Sequence, residues 1–261
     1  MASWCKFFLT ICCAYAFLVS AQDADSPRFI VLSPPKCGTH LIAKILTSIT
    51  EQEPAIYLGE LGTPKQAVKL VAKETSAGHF VVAHNFQQKT LERLVKRGYR
   101  VIFIIRDPRD QLISVMKWLR EGQWPWLQVS KIPQIDEQIH ELITGARFGW
   151  RCFNGCFGRY YNVAKTVVPN RIFTTRFESL VGPHGGGSTE AQVNEILNLA
   201  AFLKVPLSNE RAIAIANEAW GGTKTFRQGE KIGAWKRYFS PLHQQAYEQL
   251  YTPMLIELGY E

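Results

Sequence analysis

Apolar residues along this chain follow two alternating patterns. Short unbroken runs, FIVLS at 29–33, HFVVAHNF at 79–86 and YRVIFIIRDP at 99–108, are rich in β-branched and aromatic residues and show no polar alternation. Between them the spacing becomes helical. Leu41, Ile42, Ile45, Leu46 and Ile49 fall on one face, and TLERLVKRG at 90–98 is amphipathic up to Gly98, where a helix is expected to stop. RIFTTRFESL at 171–180 is a further strand candidate, preceded by a basic and aromatic helical pattern over 147–167. Beyond the glycine loop 182–187, Thr189 and Gln192 predict a capping box for a helix that carries Val193, Ile196, Leu197, Ala200 and Leu203 on one side. Strands without alternation, separated by helices, indicate a parallel sheet covered on both faces, hence an α/β fold. No repeat interrupts it, and 261 residues with 46% hydrophobic side chains suit one domain. The segment WLREGQWPWLQ at 118–128 leaves the helical spacing. It reads as a partly buried loop, with a lid over an apolar substrate as the less usual alternative.

The first 26 residues read differently. Lys6 precedes an uncharged, mainly apolar run over 7–19, which meets small residues at Val19, Ser20 and Ala21 before Gln22. That is the layout of a secretory signal peptide. The run is shorter than the roughly 20 apolar residues that span a bilayer. The expected organisation is a leader over 1–21 and one domain over 22–261, exported to the secretory pathway, the cell exterior or a periplasm. A membrane contact is expected only if the leader stays attached. Losing it removes one basic residue and no acid, so the net charge falls by one from +8. A positive balance of this size fits an anionic ligand as well as a generic basic surface. Cys37, Cys152 and Cys156 remain, an odd number that argues against a disulfide framework, and no histidine pair accompanies them to make a zinc site.

Candidate chemistry gathers where apolar runs end. PPKCGTH at 34–40 sits at a strand-to-helix turn, where a helix in a parallel sheet points its free N–H groups at a ligand. Gly38 permits close backbone approach, Thr39 offers a hydroxyl and Lys36 a mobile charge. The lysine precedes the only glycine, so this is not a Walker A loop. IIRDPRDQLISVMKW at 104–118 places Arg106 at the end of the strongest strand and Ser114 eight residues later, an arrangement able to hold a phosphate. Asp107 and Asp110 could instead engage Arg106 and Arg109 in a structural network. TFRQGEKIGAWKRYF at 225–239 gathers Arg227, Gly229, Lys231, Lys236 and Arg237 in a basic loop.

Taken in order, these three stretches resemble the sulfotransferase family. PPKCGTH is similar to its 5′-phosphosulfate loop, RDPRDQLIS to its 3′-phosphate motif, and FRQGEKIGAWKRYF to its C-terminal F-R-K-G-x-x-G-D-W-K-x-x-F segment. The resemblance implies a three-layer P-loop-like fold with a central parallel sheet flanked by helices. It also implies transfer of a sulfuryl group from 3′-phosphoadenosine 5′-phosphosulfate (PAPS) to a hydroxyl or amine of a small molecule or glycan, without metal or nucleic acid. Carried over by position, Lys36, Cys37, Gly38, Thr39 and His40 would meet the 5′-phosphosulfate. Arg106 and Ser114 would meet the 3′-phosphate, joined by Arg227, Gln228 and Gly229. Phe177 would lie at the adenine, His84 would be the catalytic base, and Lys36 would stabilise the transferring group.

The chain departs from the family at Leu41, in place of the tryptophan that stacks on adenine. It also departs at Val82 (commonly lysine), Phe177 (tyrosine), Gln228 (lysine) and Ala234 (aspartate). These changes keep open a non-catalytic nucleotide- or polyanion-binding protein of the same fold; a small P-loop kinase fits the architecture as a second alternative but lacks the Walker lysine and an evident Mg-holding acid.

Overall fold

The computed structural model describes residues 26–59, 61–152, 158, 171–222 and 231–261. The expected leader, most of the expected helix over 147–167, and Arg227, Gln228 and Gly229 lie outside them.

Five parallel strands form one sheet. They are β1 (Phe29–Leu32), β2 (Glu53–Tyr57), β3 (His79–Ala83), β4 (Arg100–Ile105) and β5 (Ile172–Arg176), in the order β2-β3-β1-β4-β5. In register, Ile30 lies beside Val81 on one side and Val101 on the other. Alternate side chains feed two separate cores, as the two-residue period of a strand requires. Ile30, Leu32, Val81, Val101, Phe103 and Ile105 pack under α2 (Pro64–Ser76), α3 (Gln88–Lys96), α4 (Pro108–Arg120), α5 (Ile135–Thr144) and α9 (Pro241–Leu258). Phe29, Val31, Phe80, Val82, Ile102 and Ile104 pack under α1 (Thr39–Thr50), α7 (Thr189–Leu203) and α8 (Asn209–Ala219). A polar residue on either face of these strands would forfeit roughly 1.5–3 kcal/mol of burial, which is why the runs read as unbroken apolar stretches. The expected three-layer α/β architecture is the one observed.

The chain leaves the β3 side of β1 and continues on its β4 side, so the strand order reverses between β1 and β4. In open α/β sheets, ligands bind at such a reversal, beyond the carboxyl ends of the strands.

Two readings of local structure need correction. RIFTTRFESL is a strand only to Arg176; Phe177–Leu180 form a single helical turn, α6, which swings the chain across the strand tips. The cap of α7 is Ser188, whose hydroxyl accepts the Ala191 N–H at 3.0 Å, and not Thr189. Gln192 is buried and donates to the Leu180 carbonyl at 2.7 Å, so it ties α7 to α6 and closes no capping box. Strand β2 gave no clear apolar run because it lies at the sheet edge, its residues are half-buried or exposed, and it carries Pro54.

Candidate functional site

The turn from β1 to α1 is held open by backbone conformation. Lys36 (φ 67°) and Gly38 (φ 100°) both occupy the left-handed region. Gly38 is required for space as well, since a Cβ there would lie 2.8 Å from the Phe177 ring. No side chain caps the N-terminus of α1, so its first-turn N–H groups remain oriented as an anion-binding end. Thr39 and Ser33 share a buried hydroxyl hydrogen bond of 2.8 Å, which fixes the first turn against β1.

His84 follows β3, the strand next to β1. Its backbone N–H donates to Tyr57, and its Nδ1 lies 2.6 Å from the Ser33 carbonyl. A carbonyl only accepts, so Nδ1 carries the proton and Nε2 keeps a lone pair. Burial, opposed by this hydrogen bond and aided by the charges of His40 and Lys36, lowers the affinity of the imidazole for a second proton. The neutral, basic form is therefore favoured at neutral pH.

Arg106 ends β4, on the other side of β1. One Nη donates to the Lys36 carbonyl at 3.2 Å, and its guanidinium lies 4.3 Å over the Phe177 ring. Its Nε is buried with no hydrogen-bond partner among the described residues. The structural network open in the sequence forms only in part. Asp107 pairs with Arg109 at 2.9 Å, while Asp110 accepts the backbone N–H groups of Gly233 (2.7 Å) and Trp235 (2.9 Å). Burial raises the Asp110 pKa, and Arg106 together with those two N–H groups opposes the rise. No acidic side chain pairs with Arg106 among the described residues.

These strand tips open into one cleft of about 210 Å³, lined by Lys36, Gly38, Thr39, His40, His84, Arg106, Ser114 and Phe177. The Lys36 amine lies 4.0 Å over the Trp118 ring within it. Cys37 is the exception among the loop positions, because its side chain is fully buried in the core and does not line the cleft. Val82 is likewise buried under α1. Arg227, Gln228 and Gly229 fall outside the described residues, but the segment after them is anchored to α4 through Asp110 and to the glycine loop through the Ile232 N–H and Gly185 carbonyl.

The remaining lining residues are Pro35, Leu41, Leu58, Trp118, Trp124, Val181, Ala219, Trp220 and Gly221. The tryptophan-rich segment leaves the helical pattern later than expected: Trp118 still belongs to the last turn of α4, which runs to Arg120, and only the residues after it form a loop, in which Trp124 lines the cleft whereas Trp126 is 71% exposed. Trp220 escaped the sequence reading; its one signal is its place before Gly221-Gly222 at the end of α8. Among the described residues, no group of three or more His, Cys, Asp or Glu is placed to hold a metal.

A family model for the sulfotransferase domain matches residues 26–220. The chain belongs to the sulfotransferase family. No curated protein matches its sequence. This sulfotransferase shares its fold with mouse sulfotransferase SULT7A1 complexed with PAP, at 17% identity and a TM-score of 0.63, over 91% of this chain and 89% of that one. Retinol dehydratase in complex with androsterone and inactive cofactor PAP is similar at 13% identity and a TM-score of 0.59, over 87% of this chain and 80% of that one. At such identities the likeness is one of fold.

Proposed function

We propose that the cleft binds PAPS and transfers its sulfuryl group to the hydroxyl of a small, largely apolar acceptor. The observation that carries this reading is the convergence of Lys36, His84, Arg106 and Ser114, from three adjacent strand tips and a following helix, on one cleft. The PAP-bound state of the structural relatives supports the same donor.

In this reading Nε2 of His84 takes the proton of the acceptor hydroxyl as its oxygen bonds to sulfur. The bond from sulfur to the bridging oxygen of the donor breaks, and the products are a sulfate ester and 3′-phosphoadenosine 5′-phosphate (PAP). The Lys36 ammonium and the first-turn N–H groups of α1 offset negative charge on the sulfuryl oxygens and on the departing phosphate. Arg106 and Ser114 take the 3′-phosphate; the unpartnered Nε of Arg106 is a donor that such an anion would satisfy. With leucine at position 41, Phe177 and Trp220 offer the aromatic faces for the adenine.

Leu58, Trp124 and Leu41 give the rest of the cleft an apolar character, which favours a hydrophobic alcohol or phenol over a glycan. Retinol dehydratase, captured with androsterone and with retinol, supports an acceptor of this kind. Calorimetric titration with PAP, followed by assay of labelled sulfate transfer from PAPS to matched panels of hydrophobic alcohols and oligosaccharides, tests the proposal. Binding and transfer to the alcohols are expected. Absence of PAP binding at millimolar concentration would end the donor assignment, and transfer confined to oligosaccharides would end the acceptor assignment.

We also propose that residues 1–21 act as a removable export signal, with the mature chain starting at Gln22. N-terminal sequencing of the protein recovered from its native compartment reads this directly, and a start at residue 1 or 2 would refute it.

A further inference from the structure

Segment 258–261 is tied to both strand tips that carry Arg106 and Phe177, although it lines no part of the cleft. The Tyr260 hydroxyl donates to Glu178 Oε2 at 3.0 Å, and Glu178 Oε1 accepts the backbone N–H of Asp107 at 2.8 Å. Arg109, while paired with Asp107, donates to the Tyr260 carbonyl at 2.9 Å. Arg176 donates to the Leu258 carbonyl and lies 4.5 Å over the Tyr260 ring. Gly259 makes this approach possible, because a Cβ there would lie 2.9 Å from an Arg176 Nη. The residues gripped in this way, Asp107, Arg176 and Glu178, are the immediate chain neighbours of Arg106 and Phe177.

Glu178 is a carboxylate that the proposed chemistry does not use. Burial raises its pKa, and the Asp107 N–H, its own backbone N–H, the Tyr260 hydroxyl and the charge of Arg106 all oppose that rise. Its two oxygens face different elements, one the end of β4 and the other segment 258–261. Among the described residues, the contacts that orient Arg106 are the Lys36 carbonyl and the Phe177 ring, at 3.2 and 4.3 Å. Its aim into the cleft therefore depends on the spacing between the tips of β4 and β5. A hydrogen bond to a charged group contributes more than a neutral one, and removing its donor leaves a half-buried carboxylate under-satisfied.

We propose that Tyr260, acting through Glu178, is a positioning residue for the nucleotide donor, holding the tips of β4 and β5 at the spacing that aims Arg106 into the cleft. The proposal rests on the reading of this cleft as the PAPS site. A purely structural role for Tyr260 would lower stability without favouring one substrate over the other.

Three variants separate these cases. Tyr260→Phe removes only the hydroxyl, Glu178→Gln retains an acceptor for the Asp107 N–H, and Ile256→Ala alters an exposed residue of α9, the helix that leads into segment 258–261. Amide hydrogen exchange at Asp107 is measured without ligand, together with the Kd for PAP and the separate KM values for donor and acceptor. Tyr260→Phe is expected to speed exchange at Asp107 and raise the PAP Kd and donor KM by roughly tenfold, with the acceptor KM unchanged. Glu178→Gln is expected to fall between it and wild type, and Ile256→Ala to match wild type. Unchanged exchange at Asp107, or faster exchange with an unaltered PAP Kd, overturns the positioning role alone. Failure of the wild-type protein to bind PAP removes the donor reading and this role with it.

Discussion

Two sets of residues line the cleft, and they arise differently. Lys36, His84 and Arg106 stand at the ends of adjacent strands, each oriented by a contact to backbone or ring: a left-handed φ and the Trp118 face for Lys36, the Ser33 carbonyl for His84, and the Lys36 carbonyl and Phe177 for Arg106. Leu58, Trp124 and Trp220 come instead from chain segments that follow β2, α4 and α8 and share no motif. The first set is polar, pre-oriented and suited to charge that develops at a defined point. The second is apolar, and its usefulness lies in shape. Substitutions in the first set should therefore act on the chemical step and the donor, and those in the second on how well flat or apolar groups are held.

The sharpest test of this division is His84. His84→Gln should lower kcat by about 10²–10⁴-fold and leave PAP affinity within about twofold, measured by steady-state transfer and calorimetry. Equal loss of both would show that His84 is structural. Because its proton affinity is depressed and the neutral form is the base, the wild-type rate should fall only as pH drops below the ordinary histidine value of about 6.5. A rate that falls as pH rises through that value would contradict the assignment.

Next come the two arginines three residues apart. Arg109 is held by Asp107, Glu261 and the Tyr260 carbonyl, whereas Arg106, among the described residues, meets one carbonyl and a ring. Arg106→Gln should weaken PAP about 10- to 100-fold with little change in Tm, the loss expected for charge-assisted hydrogen bonds to a phosphate. Arg109→Gln should do the reverse, lowering Tm with a smaller effect on PAP. If the two variants behave alike, the separation of ligand and structural charges is wrong.

In the apolar set, Trp220→Ala should cost about 1–3 kcal/mol of PAP binding, the range for an aromatic side chain under a base, while binding of pyrophosphate, which has no base, stays unchanged. The smallest change is expected at Trp124→Ala, a severalfold rise in acceptor KM with donor KM unaffected, read from two-substrate kinetics. A donor effect larger than the acceptor effect would place Trp124 beside Trp220 at the base and not at the acceptor.

Lys36 and Arg106 were legible in the sequence because each belongs to a short stretch whose local physics announces it, whereas His84 was found only through the family resemblance. An apolar run ends, and a charged side chain stands within two residues of a glycine or proline that turns the chain, as at Lys36 and Arg106. Even there, local reasoning misjudged side-chain direction. Cys37 lies between two cleft residues yet points into the core, because the left-handed backbone at Lys36 and Gly38 rotates successive side chains to different sides. Trp220 was not legible, since nothing near it in the chain marks it as a neighbour of Phe177 and Val181. The same holds for Glu178 and Tyr260, 82 positions apart, which meet because α9 returns along the sheet to the tips of β4 and β5.

The order of residues alone was enough to dictate a parallel sheet buried on both faces, the turns at its strand ends and the kinds of charge placed there. Those features depend on hydrophobic period and on backbone conformations set within a few residues. Which tips became neighbours, which arginine was neutralised and which kept an open donor, and which aromatic rings closed around the cleft were decided by sheet order and helix packing. Such contacts join segments far apart in the chain, and their geometry exists only once both cores have been buried.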